Sequence, residues 1–192
     1  DMISRGVRGI EEKLAPDEAV VTDRGFSLAQ IQAAGLTRYV ARGPVNFTAR
    51  RVALPPYTGH GRRPTRGALV RPLPRQRQGK VIPATPPDRE ELWQVGSTAQ
   101  PLALRAEVWD QLVLPHAKPG APSFSTVVLH DPRFAEPLLL HTPLPLTGAQ
   151  LQAFYRDRWP VEVLPLTAKQ MLGAARQFVF APESRQRLPE LV

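Results

Sequence analysis

Tyr155, Arg158, Glu162 and Lys169 stand at steps of three, four and seven residues within "YRDRWPVEVLPLTAK", a segment otherwise rich in the apolar residues of a core helix. At about 100° per helical residue, Arg158 lies about 60°, Glu162 about 20° and Lys169 about 40° from Tyr155, all in one rotational direction. The four polar side chains therefore share a narrow stripe, with Leu151, Phe154, Trp159 and Val163 around it. A carboxylate beside two cations and a phenol makes a mixed-sign surface suited to holding a metal ion next to a phosphate. The same stripe also fits a solvated, salt-bridged helix face. Pro160 and Pro165 each remove a backbone donor and predict kinks in this segment.

The elements that must position such a stripe begin at the N-terminus. Ile3, Val7, Ile10 and Leu14 follow helical spacing and predict an amphipathic helix over 3–14, followed by a turn at Ala15-Pro16-Asp17. "AVVTD" is a short β-branched run ending on the carboxylate of Asp23. Ser27 with Gln30 three residues later forms a capping box. It opens a short helix through Leu28, Ile31 and Ala34 that Gly35 closes. "TRYVA" then reads as a strand, so residues 1–42 give helix, strand, helix, strand, the alternation of a layered α/β core.

From Gly43 the alternation stops. The chain holds 22 prolines, most of them between residues 44 and 145, which predicts long loops and broken strands there. Leu102, Leu104, Ala106 and Val108 alternate with period two, and "STVVLH" and "PLLLHT" flank a turn-prone "DPRFAEP" as a hairpin. Residues 43–145 are accordingly expected to form a β-rich, Pro-rich insertion. Thr147 and Gln150 make a second capping box, which opens the segment 146–192 that carries the stripe.

Charge marks the insertion more sharply than structure does. From Arg42 to Lys80 there are ten Lys or Arg and no Asp or Glu, so against a net charge of +8 the rest of the chain stands at −2. A basic block on a nearly neutral scaffold fits a polyanion, because each neutralised phosphate releases condensed counterions; a solvated, solubilising loop is the plainer reading. The absence of cysteine excludes disulfides and thiolate metal sites. With no run of roughly 20 apolar residues and no signal-peptide layout, the expectation is a soluble, cytoplasmic protein without a membrane partner. His130, Asp131 and His141 suggest a metal pair but lack a third partner at a sensible spacing, and Trp93 and Trp109 read as core anchors.

Tyr155, Arg158, Glu162 and Lys169 reproduce the Y-x-x-R-x-x-x-E-x-x-x-x-x-x-K signature, and "DRGF" at Asp23–Phe26 resembles the block carrying the second catalytic aspartate, of DDE-type transposases from bacterial insertion sequences. The order of parts is also similar across almost the whole chain. The resemblance implies a ribonuclease-H-like core in which carboxylates bind two Mg²⁺ or Mn²⁺ ions for in-line attack on phosphorus. It implies that Asp23 and Glu162 are catalytic metal ligands and that Tyr155, Arg158 and Lys169 grip transposon-end DNA. Arg62, Arg63, Arg66 and Arg71 are expected to follow the backbone of double-stranded DNA.

The family's first carboxylate lies on a strand well upstream of the second, whereas 22 residues precede Asp23 here. The expected fold is thus α/β, a partial ribonuclease-H-like core with its first strands missing, interrupted by the β insertion. The expected function is that of a transposase fragment, inactive by itself in strand cleavage and strand transfer, acting in a nucleoid-associated homodimer. The alternative is a catalytically inactive nucleic-acid-binding remnant.

Overall fold

The computed structural model describes residues 9–98 and 100–157, and the chain divides after Phe154 into two compact units. The elements in order are β1 (Val20–Thr22), α1 (Leu28–Ala33), β2 (Tyr39–Arg42), β3 (Ala49–Arg51), β4 (Leu69–Val70), β5 (Arg75–Arg77), β6 (Lys80–Ile82), β7 (Arg89–Ser97), β8 (Gln100–Val113), β9 (Phe124–His130), β10 (Leu138–Thr142) and α2 (Gly148–Asp157). This is a mixed α/β fold with a mainly sheet core. Of the helix expected over 3–14, residues 9–11 are helical and residues 1–8 lie outside the described residues. Ile10 is 43% exposed, while Leu14 packs against the core.

Eight strands form one sheet in the order β1-β2-β10-β9-β8-β3-β4, with β7 also paired to β8. β1 and β2 are parallel and joined through α1; every other pair in the sheet is antiparallel. Arg42 pairs with Leu140 and Ala41 with His141, so the sheet runs without a break from the first α/β elements into the strands that follow Gly43. The expected hairpin forms as β9 and β10, with Leu138 opposite Leu129 and Thr142 opposite Ser125.

Local chemistry explains α1. Ser27 Oγ accepts the Gln30 N–H and the Gln30 side chain accepts the Ser27 N–H, the reciprocal capping box. At the other end Gly35 sits at φ +84°, the Gly35 N–H donates to Gln32 O and the Leu36 N–H donates to Ile31 O, which is a Schellman closure. α1 buries Leu28 and Ile31 against Tyr39, Ala41, Trp109, Leu112, Phe124, Val128 and Leu139 on one face of the sheet. Each such fully buried side chain contributes roughly 1.5–3 kcal/mol.

The opposite face carries Val40, Leu104, Ala106, Val108, Val127, Leu129 and Leu140, all buried. α2 covers part of it. Thr147 and Gln150 cap the helix reciprocally, and the Gly148 N–H donates to Glu91 Oε2 at 2.6 Å. A Cβ at Gly148 would lie 2.6 Å from the Ala106 Cβ, so only glycine lets the first turn rest on the sheet. Trp93 Nε1 donates to Gln152 at 3.3 Å, and Leu151 is fully buried. Helices on both faces make a layered domain, with apolar side chains of the middle strands buried on each side.

The long strand β8 keeps its alternation through Leu104, Ala106 and Val108, then breaks it. Trp109 faces Thr126 and Leu112 faces Phe124, so one extra residue is accommodated between them as a bulge, with Gln111 at φ +51°. Val108 and Trp109 face opposite core layers by ordinary alternation, and the bulge after Trp109 returns Leu112 to the α1 side. Trp109 is fully buried and its indole N–H is held by the carbonyls of Thr85 and Pro86 at 3.0 and 2.9 Å.

Candidate nucleic-acid interface

Asp23 follows directly on β1, at the carboxyl end of the parallel β1–β2 pair. Its Oδ1 accepts the Gly25 N–H at 2.8 Å and its carbonyl accepts the Phe26 N–H at 3.4 Å. This Asx turn is what "DRG" encodes locally: a short carboxylate that folds onto its own backbone two residues on. The register places Asp23 at the same end of the sheet as the end of β2, the end of β9 at His130 and the start of β10 at Leu138. Four strands thus contribute to one rim, and the carboxylate is half-buried within it.

Of the four-residue stripe, Tyr155 lies in the last turn of α2 and is partly buried. Arg158, Glu162 and Lys169 lie outside the described residues. No group of three or more His, Asp or Glu that could hold a metal occurs among the described residues.

The ten cations from Arg42 to Lys80 separate into two kinds. Arg51 is committed to the fold: its guanidinium grips both oxygens of Asp88, with Nη2 at 2.7 Å from Oδ1, and Nη1 also donates to Asp110 O at 2.9 Å. Arg50 donates to Gly67 O at 2.8 Å. Gly67 itself presses on the Arg51 carbonyl, where an added Cβ would come within 1.8 Å of the oxygen. These contacts close a long loop, residues 52–68, between β3 and β4.

On that loop Arg62, Arg63 and Arg66 are exposed. Gly59 and Gly61 adopt φ of +86° and +76°, and the Tyr57 hydroxyl donates to Gly61 O at 3.1 Å. The Arg63 guanidinium lies 5.4 Å from the Tyr57 ring centre, a cation–π contact, and the residue remains exposed. Arg71 sits lower, partly buried at the end of β4. Its backbone N–H donates to Thr85 Oγ1 at 2.9 Å, its carbonyl accepts the Thr85 N–H at 2.7 Å, and its Nε is buried without an acceptor among the described residues. The loop thus offers three outward guanidinium groups and the sheet edge a fourth, half-sunk one.

Two features were not read from sequence. Residues 75–82 form a two-stranded sheet of their own, β5–β6, at a place in the β-rich insertion where no particular strand was assigned. Its signal is the dipeptide Gln78-Gly79 between two short runs of equal length, a hairpin turn lacking the customary Asn. The second is a polar group on the α1 side of the sheet, on the strands joining the rim. His130 Nε2 lies 3.1 Å from Glu107 Oε2, and Arg105 bridges Glu107 at 3.2 Å and Glu90 at 3.7 Å. These residues come from strands 23 positions apart, and no local pattern announces them. Beside them a cleft of about 340 Å³ is lined by Arg105, His130, Asp131 and Phe134. The Arg133 guanidinium hydrogen-bonds Asp131 and holds its carboxyl below the usual carboxylate range.

His141 does not join His130. It lies opposite Thr126, four positions back along β9, with Nδ1 3.0 Å from Thr126 Oγ1 and its ring 4.0 Å from that of Phe47. Full burial pushes its pKa down to about 3, so it is a neutral core residue. Gly43 allows this: a Cβ there would fall 2.2 Å from Nε2. Comparison of the chain with protein-family models, with curated proteins and with solved structures finds no match.

Proposed function

We propose that this chain is the part of a DDE-type DNA transposase that carries the second and third catalytic carboxylates, in a ribonuclease-H-like core that presents a basic surface to double-stranded transposon ends. The observation that carries the reading is the position of Asp23: a carboxylate fixed by an Asx turn at the carboxyl end of a parallel β–α–β unit. It is followed in sequence by a loop bearing the exposed Arg62, Arg63 and Arg66 and then by the Tyr155, Arg158, Glu162, Lys169 signature. Ligands gather at the carboxyl ends of parallel strands because the helix connections there leave a crevice and aligned backbone dipoles.

Asp23 and Glu162 are the proposed ligands for Mg²⁺ or Mn²⁺; when bound, such ions polarise a phosphoryl oxygen and lower the pKa of an attacking water or hydroxyl. Arg62, Arg63, Arg66 and Arg71 hold the DNA backbone, and Tyr155, Arg158 and Lys169 hold the strand near the scissile phosphate. Two copies around paired ends complete the working assembly. Replacing Mg²⁺ by Fe²⁺ and generating hydroxyl radicals tests the shared site directly. Cuts in the polypeptide are expected near both residue 23 and residue 162, and both sets should disappear in Asp23→Ala and in Glu162→Ala. Cuts at one position that persist in the other variant would overturn the shared site.

The exposure of Arg62, Arg63 and Arg66 also favours a second reading, a DNA-binding remnant without catalysis. On that reading duplex binding is salt-dependent but indifferent to divalent ions and to Glu162→Ala.

A further inference from the structure

The β5–β6 hairpin stands outside the eight-stranded sheet, and its residues 75–82 include Arg75, Arg77 and Lys80 and no acid. Arg75 pairs with Ile82, Gln76 with Val81 and Arg77 with Lys80. The turn residues Gln78 and Gly79 sit at φ +50° and +73°, both left-handed, as a two-residue turn requires to match the twist of its strands. Residues 76–81 are all exposed, whereas Arg75 and Ile82 at the root are partly buried and the Arg75 Nε is sunk without an acceptor among the described residues. The ribbon is anchored at one end and open at the other.

Side chains alternate across a ribbon, so directly paired residues share a face. One face holds Arg75, Ile82, Arg77 and Lys80; the other holds Gln76 and Val81, side by side and open to solvent, with Val81 66% exposed. An exposed valine beside an exposed glutamine on an acid-free strand pair has no use in the core. Its chemistry matches a base pair instead. A glutamine amide pairs with adenine N6 and N7, and an aliphatic group packs on the neighbouring thymine methyl. Strands about 4.8 Å apart make a ribbon that fits a major groove about 12 Å wide. Arg77 and Lys80, at the turn, are long enough to reach the phosphates that border the groove.

We propose that the β5–β6 ribbon lies in the major groove of B-form DNA and reads an A·T step through Gln76 and Val81, with Arg77 and Lys80 on the flanking phosphates. The proposal rests on the reading of the basic segment as a duplex-DNA surface and adds to it a source of sequence preference.

The test is selection of preferred duplexes from a randomised pool by the full chain, followed by titration of the selected duplex against an unselected one at several salt concentrations. The wild type should enrich an A·T step. Gln76→Ala and Val81→Ser should each bind the selected duplex about tenfold more weakly, yet match the wild type on the unselected duplex. Replacing thymine by uracil, which removes the methyl group, should weaken the wild type and leave Val81→Ser unchanged. Arg77→Ala with Lys80→Ala should bind both duplexes more weakly and reduce the salt slope by about two. All of these positions are on the surface, so thermal melts of the variants should coincide with the wild type.

If the ribbon variants bind and select like the wild type while Arg62→Ala, Arg63→Ala and Arg66→Ala together abolish binding, the ribbon proposal fails and the DNA surface stands. Equal affinity for duplex RNA, whose major groove is too deep and narrow for a ribbon, also overturns it. A wild-type chain with no salt-dependent affinity for duplex DNA overturns the DNA surface itself, and the ribbon proposal with it.

Discussion

The sheet around β8, β9 and β10 and the basic segment from Arg42 to Lys80 obey opposite rules. In the sheet, Trp109, Leu112, Val128, Leu139 and Leu140 are at most 2% exposed, and the buried His141 ring is held neutral. In the basic segment the side chains of Arg62, Arg63, Arg66 and Arg77 face water and nothing acidic stands among them in sequence. Burial there would cost each guanidinium its hydration. The difference teaches where selection can act on stability and where on binding. Contacts in the sheet stabilise the fold, while the exposed cations add like-charge repulsion that salt screens and a bound polyanion would relieve.

The sharpest way to break this contrast is to exchange the consequences. Trp109→Ala should cost about 3–5 kcal/mol in urea unfolding, because it opens a large cavity and orphans the Thr85 and Pro86 carbonyls. Arg62→Ala, Arg63→Ala and Arg66→Ala combined should shift stability by less than about 0.5 kcal/mol per site. They should nevertheless lower the salt slope of duplex binding by about three. A triple variant that melts like Trp109→Ala would show the loop to be structural.

His141 gives the next largest effect. Its folded pKa is about 3 against an ordinary value of 6.5, so between those limits the unfolded chain binds a proton that the folded chain does not. Its contribution is complete above about pH 6.5 and falls by up to about 1.4 kcal/mol per pH unit as the pH drops toward 3. Thermal melts from pH 7 to pH 4.5 should show this slope. His141→Phe should flatten it, whatever its effect at neutral pH.

Arg51 lies inside the basic segment but belongs to the other regime. Arg51→Ala should cost about 1 kcal/mol, reduced from a buried pair's value because Asp88 keeps 37% of its side-chain exposure. It should leave the salt slope of binding unchanged, and a change of about one would place Arg51 on the DNA. Ser27→Ala, at the α1 cap, should cost about 1 kcal/mol or less by chemical denaturation without touching binding.

Features decided within a few residues were legible. Both capping boxes, the Gly35 closure, the β9–β10 hairpin and the alternation of β8 up to Val108 follow from contacts between near neighbours in the chain. The bulge after Trp109 was not, because nothing in Asp110 or Gln111 marks the place where two strands fall out of step. The candidate site was legible in half. Asp23 could be placed at a strand end from "AVVTDRG", whereas the Glu107–His130–Arg105 group exists only because β8 and β9 align in one register.

The arginines make the same point most plainly. Residue order was enough to show a run of cations with no acid among them, since charge is a property of composition and survives any folding. It could not tell Arg51 from Arg62, because the partner that claims Arg51 is Asp88, 37 residues away, and reaches it only when β3 docks beside β8. Short-range forces act wherever neighbours meet along the chain; pairings between distant residues wait on the backbone entropy that the whole sheet must overcome together.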